Sequence, residues 1–265
     1  MAHLTNQTER NELFHYTWSR NGLHLVAVLL TMGFVSAHAA QPAAQSAEPI
    51  VFVASAEEAM PLAQYRGDVL EQGILKDLGE AIAKAMHRRA QFVTLPRKRS
   101  ETALTNGTVD GVCYARKEWT DITLNWSKPF IPNSNLLVAS GGVEAPGSLS
   151  ELKGQTIGTV LGYRYPELEA TLGNTFRHED APNMASNIEK LRLGHIRYAV
   201  VDGAIFSYEK KRDDRLKPLA TLTISSFSAR CGFSPASKIP FSDIDAAIDK
   251  LVGDGSVKRV LDRYR

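Results

Sequence analysis

After residue 49, the chain alternates short apolar runs with helical patterns, and this order occurs twice. In the first half, apolar runs at 50–54, 90–95 and 109–114 predict strands. An amphipathic pattern at 73–86 predicts a helix, and Ser100 is placed as the N-cap of a second helix that ends at Gly107. Strands alternating with helices predict a parallel sheet with right-handed crossovers.

The second half repeats the pattern. Strands are predicted at 156–160, 175–178 and 198–201, with helices at 165–172 and 185–193. Segment 130–140 joins the two units, segment 221–233 returns the chain to the first, and 241–264 predicts a closing helical pair. The predicted fold class is therefore α/β with two lobes, each a mainly parallel sheet flanked by helices, joined by two hinge crossings. Lobe 1 is assigned to 49–136 and 228–265, and lobe 2 to 137–227.

This architecture favours ligand capture. Ligands of open α/β sheets bind beyond the carboxyl ends of the strands. Two such edges that face each other form a cleft, and hinge rotation at the crossings lets the cleft close on a solute.

The N-terminus indicates export. Basic residues precede an apolar run at 23–37, and Ala37-His38-Ala39 follows it, as in a cleavable signal peptide covering 1–39. An uncleaved anchor is the alternative, but the run is shorter than the ~20 residues of a membrane span. The Ala/Gln/Pro-rich stretch 40–48 is interpreted as a flexible leader. The predicted location is the periplasm.

Composition narrows the function. The net charge is +2 with both signs interspersed, which does not support a nucleic-acid-binding surface. The two cysteines, Cys113 and Cys231, lack metal-ligand spacing. Phosphate-loop, dinucleotide, nucleophile-elbow and metal-cluster motifs are absent from the sequence. We therefore predict a protein that is not an enzyme and has neither cofactor nor metal.

Five stretches resemble motifs of the family 3 extracellular solute-binding proteins, the polar amino-acid binders of ABC importers. They are GILKDLGEAI at 73–82, LTNGTVDG at 104–111, NWSKPF at 125–130, LSELKGQTIG at 149–158 and LRLGHIRYAVVD at 191–202. The resemblance covers essentially the whole chain after the signal peptide. It implies a type II periplasmic binding fold, a small polar solute as ligand, an inner-membrane ABC permease as partner, and a monomer.

The resemblance also implies ligand contacts in lobe 2. Asp202 ends a predicted strand, where the family's aspartate holds a ligand ammonium; an N-cap for the next segment is the alternative. Gly158 and Thr159 begin the turn that the family uses for the ligand carboxylate, although a plain strand-to-helix turn is also compatible.

Lobe 1 offers charged and aromatic candidates. Arg99 immediately precedes the placed N-cap, so it is preferred over Arg97 and Lys98 as a clamp for an anionic group; a solvated rim is the alternative. Glu58, with Glu57, follows the first strand and would contact a basic ligand or form a polar loop. Tyr114 and Trp119 are candidates for an aromatic wall.

Two departures from the family pattern affect the ligand. The family places an arginine shortly after the third strand to clamp the ligand carboxylate. Here the segment is shorter, and Arg116 is the nearest candidate substitute. The family's aromatic residue before the first-loop proline is also missing, because Ala59-Met60 stands there. The resemblance therefore indicates a class of protein and leaves the ligand open.

Two further questions stay open at this point. The family fold makes the return strand a neighbour of the third strand, so Cys113 and Cys231 would form a disulfide if the register brings them together. Exported cyclohexadienyl dehydratases resemble the same fold, and Glu57, Glu58 and Arg99 could serve acid-catalysed elimination there.

Overall fold

The computed structural model describes residues 48–265. The predicted signal peptide and residues 40–47 of the predicted leader lie outside the described residues. The strands are β1 (Ile50–Ser55), β2 (Gln64–Arg66), β3 (Val69–Gln72), β4 (Ala90–Leu95), β5 (Gly111–Ala115), β6 (Asn125–Trp126), β7 (Ile131–Ala139), β8 (Thr156–Val160), β9 (Arg177–Ala181), β10 (Tyr198–Asp202) and β11 (Thr221–Phe233). The helices are α1 (Ile74–Ala85), α2 (Arg97–Thr105), α3 (Pro166–Leu172), α4 (Met184–Arg192), α5 (Gly203–Arg212), α6 (Phe241–Gly253) and α7 (Ser256–Asp262).

One nine-stranded sheet runs through both halves of the molecule, in the order β4-β1-β5-β11-β7-β10-β8-β9, with β6 beside β11. Strand β1 pairs in parallel with β4 and β5, and these strands with α1, α2, α6 and α7 are called the first lobe. Strand β8 pairs in parallel with β9 and β10, and these strands with α3, α4 and α5 are called the second lobe. The parallel units confirm the strand–helix alternation predicted for each half.

The two crossings between the lobes are themselves strands. β7 pairs antiparallel with β11 along most of its length and with β10 on its other side. The far end of β11 pairs antiparallel with β5 and β6. The boundaries assigned to the lobes, 136/137 and 227/228, fall inside these two strands.

Apolar periodicity explains how the helices attach. In α1, Ile74, Leu78 and Ile82 are buried against the sheet, as an amphipathic helix requires. Gly73 precedes α1 with φ 126°, and a Cβ there would lie 2.3 Å from the carbonyl oxygen of Leu62. Glycine is therefore needed where the chain enters this helix.

Several segments differ from their predicted structure, and helix α5 and strand β6 were not predicted. The hairpin β2–β3 was not predicted, because its short, largely exposed strands show no clean alternation. Strand β9 begins at Arg177 instead of Thr175, and its polar edge-strand sequence hides the period.

Helix α2 begins at Arg97, four residues before Glu101, where a helix capped by Ser100 would begin. Pro96 is the N-cap, with φ −60° and ψ 149°, and has no N–H to leave unsatisfied. Ser100 lies inside the helix, and its hydroxyl donates to the carbonyl oxygens of Pro96 and Leu95 at 3.2 and 3.3 Å. The assignment of Ser100 as N-cap was therefore wrong.

Cys113 and Cys231 form a disulfide that joins β5 to β11 within the first lobe. Both cysteines are buried, and the strand register is irregular between Arg230 and Gly232, beside the bond. The bond spans a sequence separation of 118 residues, which includes the entire second lobe.

Helix α4 carries a side-chain cap that can be tested. Asn183 accepts a hydrogen bond from the Ser186 amide at 2.8 Å, so it satisfies one free N–H of the first turn. We expect Asn183→Ala to lower the free energy of unfolding by about 1 kcal/mol in urea denaturation. The matched control is Asn183→Asp, which retains a cap oxygen and should change stability by only a few tenths of a kcal/mol. Equal losses in both variants would contradict the capping role.

Among residues 48–265, no helix combines the length and the apolar character that crossing a bilayer requires.

Candidate functional site

A cavity between the lobes, the interlobe cavity, lies at the carboxyl ends of strands from both lobes. It has a volume of about 480 Å³, including the space open to solvent. Its walls are Glu58, Arg97, Tyr114, Trp119, Asn135, Tyr163, Arg164, Tyr165, Met184, Val200 and Asp202. Four of the sequence candidates, Glu58, Tyr114, Trp119 and Asp202, are therefore brought together where strand topology places ligands in α/β sheets.

Asp202 both ends β10 and caps α5. Its carboxylate accepts from the amides of Ala204 at 2.9 Å and Ile205 at 3.1 Å. It also accepts from the Tyr114 hydroxyl at 3.0 Å and from the Asn133 side-chain amide at 2.6 Å. The side chain is thus an N-cap and a wall of the interlobe cavity at once, so the two alternatives predicted for it are compatible.

Tyr114 is the first-lobe partner of Asp202 and links the lobes directly. It lies near the end of β5 with φ 62°, in the left-handed region that non-glycine residues seldom occupy. Its side chain is buried, and its hydroxyl also receives the Asn133 amide. This backbone conformation aims the ring from the first lobe across to the second.

A second tyrosine–carboxyl pair joins the lobes across the interlobe cavity, here with the tyrosine on the second lobe and the carboxyl group on the first. Tyr163, in the turn after β8, donates its hydroxyl to Glu58 of the first lobe at 2.7 Å. The main chain adds a bond beside it, from the Met184 amide to the Glu57 carbonyl at 3.1 Å. Each lobe therefore contributes one tyrosine and one carboxyl group to the closed arrangement.

Burial shifts the titration of these groups. Burial raises the pKa of Glu58 from 4.5 to about 7, and the Tyr163 hydrogen bond and nearby Arg97 only partly oppose it. Burial likewise raises the pKa of Asp202 from 3.8 to about 6, against the lowering effect of the Ile205 amide and the Tyr114 hydroxyl. The pKa values of Tyr114 and Tyr163 also rise, so both stay neutral donors.

Arg97, and not Arg99, lines the interlobe cavity. Because α2 begins at Arg97, this residue lies at the helix start, while Arg99 is exposed and lines neither cavity described here. The Arg97 guanidinium donates to the Trp119 carbonyl at 3.1 Å and lies 5.5 Å from the centre of the Tyr163 ring. Arg97 therefore lies where it could bind an anionic group of a ligand, the role that the sequence predicted for Arg99.

Arg116 is engaged in an ion pair between the lobes. Its guanidinium lies 3.0 Å from the Glu167 carboxylate of α3 and 4.7 Å from the centre of the Phe227 ring. Trp119 packs edge-on against the same Phe227 ring. Arg116 thus helps to hold the lobes together and is already matched by an anion.

The turn residues predicted from the resemblance point away from the cavity. Thr159 is fully buried and donates to the Asp180 carboxylate at 2.6 Å. A Cβ at Gly158 would lie 2.3 Å from Ile196 Cδ1 and 2.5 Å from Asn187 Oδ1, so this glycine allows close packing of α4. In the same turn, Tyr163 reaches the cavity instead; its position just after Gly162 was the available sequence signal.

A second cavity, the first-lobe cavity, adjoins the interlobe cavity and shares Glu58, Arg97 and Tyr114 with it. It lies beside α2 with a volume of about 570 Å³, including open space. Its further lining is mostly apolar and includes Val53, Leu75, Leu104, Val112, Cys113, Ala115, Ile122, Leu124 and Trp126. Polar lining comes from Ser55, Ser100, Glu101, Arg116 and Thr120.

Within residues 48–265, no three histidine, cysteine or acidic side chains are grouped so that they could hold a metal ion.

Comparison with known proteins identifies the fold. No family model matches the chain, and no curated protein matches it either. Solved structures do match. An ancestral arginine-binding protein bound to arginine superposes with TM-score 0.67 at 18% identity, covering 82% of this chain and 97% of that one. These matches confirm the two-lobed type II periplasmic binding fold that the sequence motifs predict.

Two further matches have different roles. The substrate-binding protein of an amino acid ABC transporter matches with TM-score 0.64 at 18% identity, covering 81% of this chain and 98% of that one. The ancestral amino acid-binding protein AncCDT-1, a precursor of cyclohexadienyl dehydratase, matches with TM-score 0.66 at 14% identity, covering 82% and 94%. At these identities, the shared property is the fold.

Proposed function

We propose that this protein is a periplasmic solute-binding protein that captures a small polar solute, an amino acid or a related amine, between its lobes for an ABC importer. The observation that carries the proposal is the interlobe cavity, whose walls combine carboxyl groups, an arginine and tyrosines from both lobes. Proteins of this fold that bind amino acids, including one from an ABC transporter, support the class. A buried disulfide is in keeping with an oxidising compartment.

The charges of the interlobe cavity suit a zwitterion or an amine. Within residues 48–265, the one side-chain hydrogen bond of Arg97 is to the Trp119 carbonyl, so its other guanidinium donors can serve a carboxylate. Glu58 and Asp202 have no ion-pair partner among residues 48–265, so their carboxyl groups give the interlobe cavity an acidic wall that suits a solute with an ammonium group. The tyrosine rings supply faces for a cation or an apolar group.

Ligand binding can be tested by thermal denaturation. A solute at 100-fold excess over its Kd stabilises a protein by about 2.7 kcal/mol, which for a chain of this size raises Tm by roughly 5–10 °C. We expect such a rise with at least one member of a panel of amino acids, polyamines and small carboxylates. Isothermal titration should then give one site per chain, and the solute should be recovered chemically intact.

The control is Arg97→Ala, which removes the Arg97 guanidinium from the wall of the interlobe cavity without touching the hydrogen bonds of Asp202. Arg164 of the same wall is paired with Asp121. Arg99→Ala is its matched partner, because Arg99 is exposed on the same helix. A carboxylate-bearing solute should lose affinity in Arg97→Ala and keep it in Arg99→Ala. Failure of the whole panel to bind would contradict the proposal.

An enzyme is the second candidate. A carboxyl group with its pKa raised to about 7 is well placed to donate a proton near neutral pH, and Glu58 is such a group. A precursor of cyclohexadienyl dehydratase has a similar fold, and that precursor is itself an amino acid-binding protein. Turnover of prephenate or arogenate by the purified protein, lost in Glu58→Gln, would establish the enzyme instead of the binder.

A further inference from the structure

We propose that Glu58, and not Asp202, binds the cationic group of the solute, and that an apolar part of the solute enters the first-lobe cavity. The solute class is then an amino acid or amine with an apolar side chain. This inference rests on the proposed function, because it assigns the ligand contacts of the same site.

The hydrogen bonds of Asp202 leave little room for a ligand ammonium. An ionised carboxylate offers about four acceptor positions. Here four donors of the chain fill them: two α5 amides on Oδ1, and the Tyr114 hydroxyl and the Asn133 amide on Oδ2. An ammonium at Asp202 would have to displace Tyr114 or Asn133, which also hold the lobes together.

Glu58 is much less occupied. Within residues 48–265, Tyr163 is its one hydrogen-bond donor among the side chains, and it binds Oε1 only. Glu58 lines both cavities and is partly exposed to them. Its second oxygen is therefore available at the point where the two cavities meet.

The first-lobe cavity determines the chemical character of the rest of the solute. Beyond Glu58 and Arg97, its wall continues as aliphatic and aromatic side chains, with Val112, Leu104 and Trp126 among them. A solute held at Glu58 through its ammonium and at Arg97 through its carboxylate can extend an apolar chain along this wall. Each buried methylene contributes about 0.8 kcal/mol, equivalent to ~4-fold in Kd.

The test uses a homologous series: L-alanine, L-norvaline and L-norleucine, titrated calorimetrically into the intact mature protein at pH 8, where Glu58 is ionised. We expect Kd to fall about 4-fold per added methylene until the cavity is filled. Glu58→Gln should weaken L-norleucine binding at least ~50-fold, because a charge-assisted bond is lost. Asp202→Asn keeps an oxygen that caps α5 and should weaken binding much less than Glu58→Gln does, because Asp202 makes no bond to the solute.

A second variant tests the cavity without touching any charge. Val112 lies on its wall and is not fully buried, so Val112→Phe should fill the space while the protein remains folded, as thermal denaturation can verify. We expect this variant to bind L-norleucine no more tightly than L-alanine, because the gain per methylene is lost. A retained gain would show that the chain extends elsewhere and would overturn the assignment of the cavity.

The outcomes separate this inference from the proposed function. If Asp202→Asn abolishes binding while Glu58→Gln binds as wild type, the inference is wrong and solute binding stands. If the series does not bind but a dicarboxylate does, the inference is again wrong. If no solute of any class binds, the proposed function itself fails.

Discussion

Replacing both Cys113 and Cys231 by alanine should destabilise the protein by about 2–5 kcal/mol. The bond closes a loop with a sequence separation of 118 residues, and long loops lose the most conformational entropy in the unfolded chain when they are cross-linked. The whole second lobe lies within that loop. Without the disulfide, both lobes therefore gain conformational freedom in the unfolded chain. The loss is measurable as a lower midpoint in urea denaturation with an unchanged native circular dichroism spectrum.

Reduction provides the matched control for this variant. Wild-type protein unfolded in the presence of a reductant should show the same loss, and the double alanine variant should not respond to the reductant at all. Ellman's reagent should detect no free thiol in the denatured, unreduced wild type. Two reactive thiols, or equal midpoints with and without reductant, would contradict the disulfide.

The sequence was most informative where side-chain period and burial agree. In α1, the apolar positions Ile74, Leu78 and Ile82 lie on one buried face, and periodicity alone predicted the helix. Strands β8 and β10 are buried apolar runs and were found close to their predicted positions. Their order along the chain was enough to predict two parallel units.

Elements that depend on pairing across the sheet were harder to predict. Segments 130–140 and 221–233 were predicted as crossings between the lobes, the second of them as a return strand beside the third strand. Their pairing with each other was not predicted: they form β7 and β11, the antiparallel centre of the sheet. Both contain exposed or half-buried polar residues, so a single-sequence pattern does not distinguish them from extended connections. Each of these two strands is stabilised by pairing with the other, and the local sequence of either strand does not show that pairing.

The start of helix α2 decides which arginine lies at the interlobe cavity. Arg99 was preferred because Ser100 was interpreted as an N-cap, whereas the helix begins at Arg97. The helix starts four residues before the predicted start, so Arg97 and Arg99 both lie in its first turn. Two positions along a helix turn a side chain by about 200°, so these two arginines point in opposite directions. Arg97 therefore faces the cavities and Arg99 faces solvent. An arginine at the start of this helix does lie at the cavity, as expected, but it is Arg97.

The hydrogen-bond partners of the site lay beyond the reach of the sequence. Asp202 was identified from its place at the end of a strand, but its bonds with Tyr114 and Asn133 join residues 88 and 69 positions apart. Tyr163 lies in the turn after β8, and its role in the interlobe cavity was not predicted. Both tyrosines act across the closed arrangement of the lobes, which no local pattern encodes.

The protein should become less stable as pH rises from 5 to 8. Burial raises the pKa of Glu58 to about 7 and that of Asp202 to about 6, so between pH 5 and 7 the folded state holds protons that the unfolded state has released. Stability then falls with rising pH, and it levels off above the folded pKa of Glu58. Allowing for the partial exposure of Glu58, we expect the free energy of unfolding at pH 8 to be about 1–3 kcal/mol smaller than at pH 5.

Burial fixes the sign of the effect, and the groups that face Glu58 modify its size. The Tyr163 hydrogen bond and Arg97 favour ionisation of Glu58, whereas its acidic neighbours Asp202 and Glu57 oppose it. Glu58→Gln removes one titrating group without changing the shape of the side chain, and its urea-derived stability should decline less between pH 5 and 8 than that of wild type. Identical pH profiles would show that Glu58 titrates normally. A bound ammonium should also reduce the decline, because a cation beside Glu58 lowers the pKa of this carboxyl and couples solute binding to proton release.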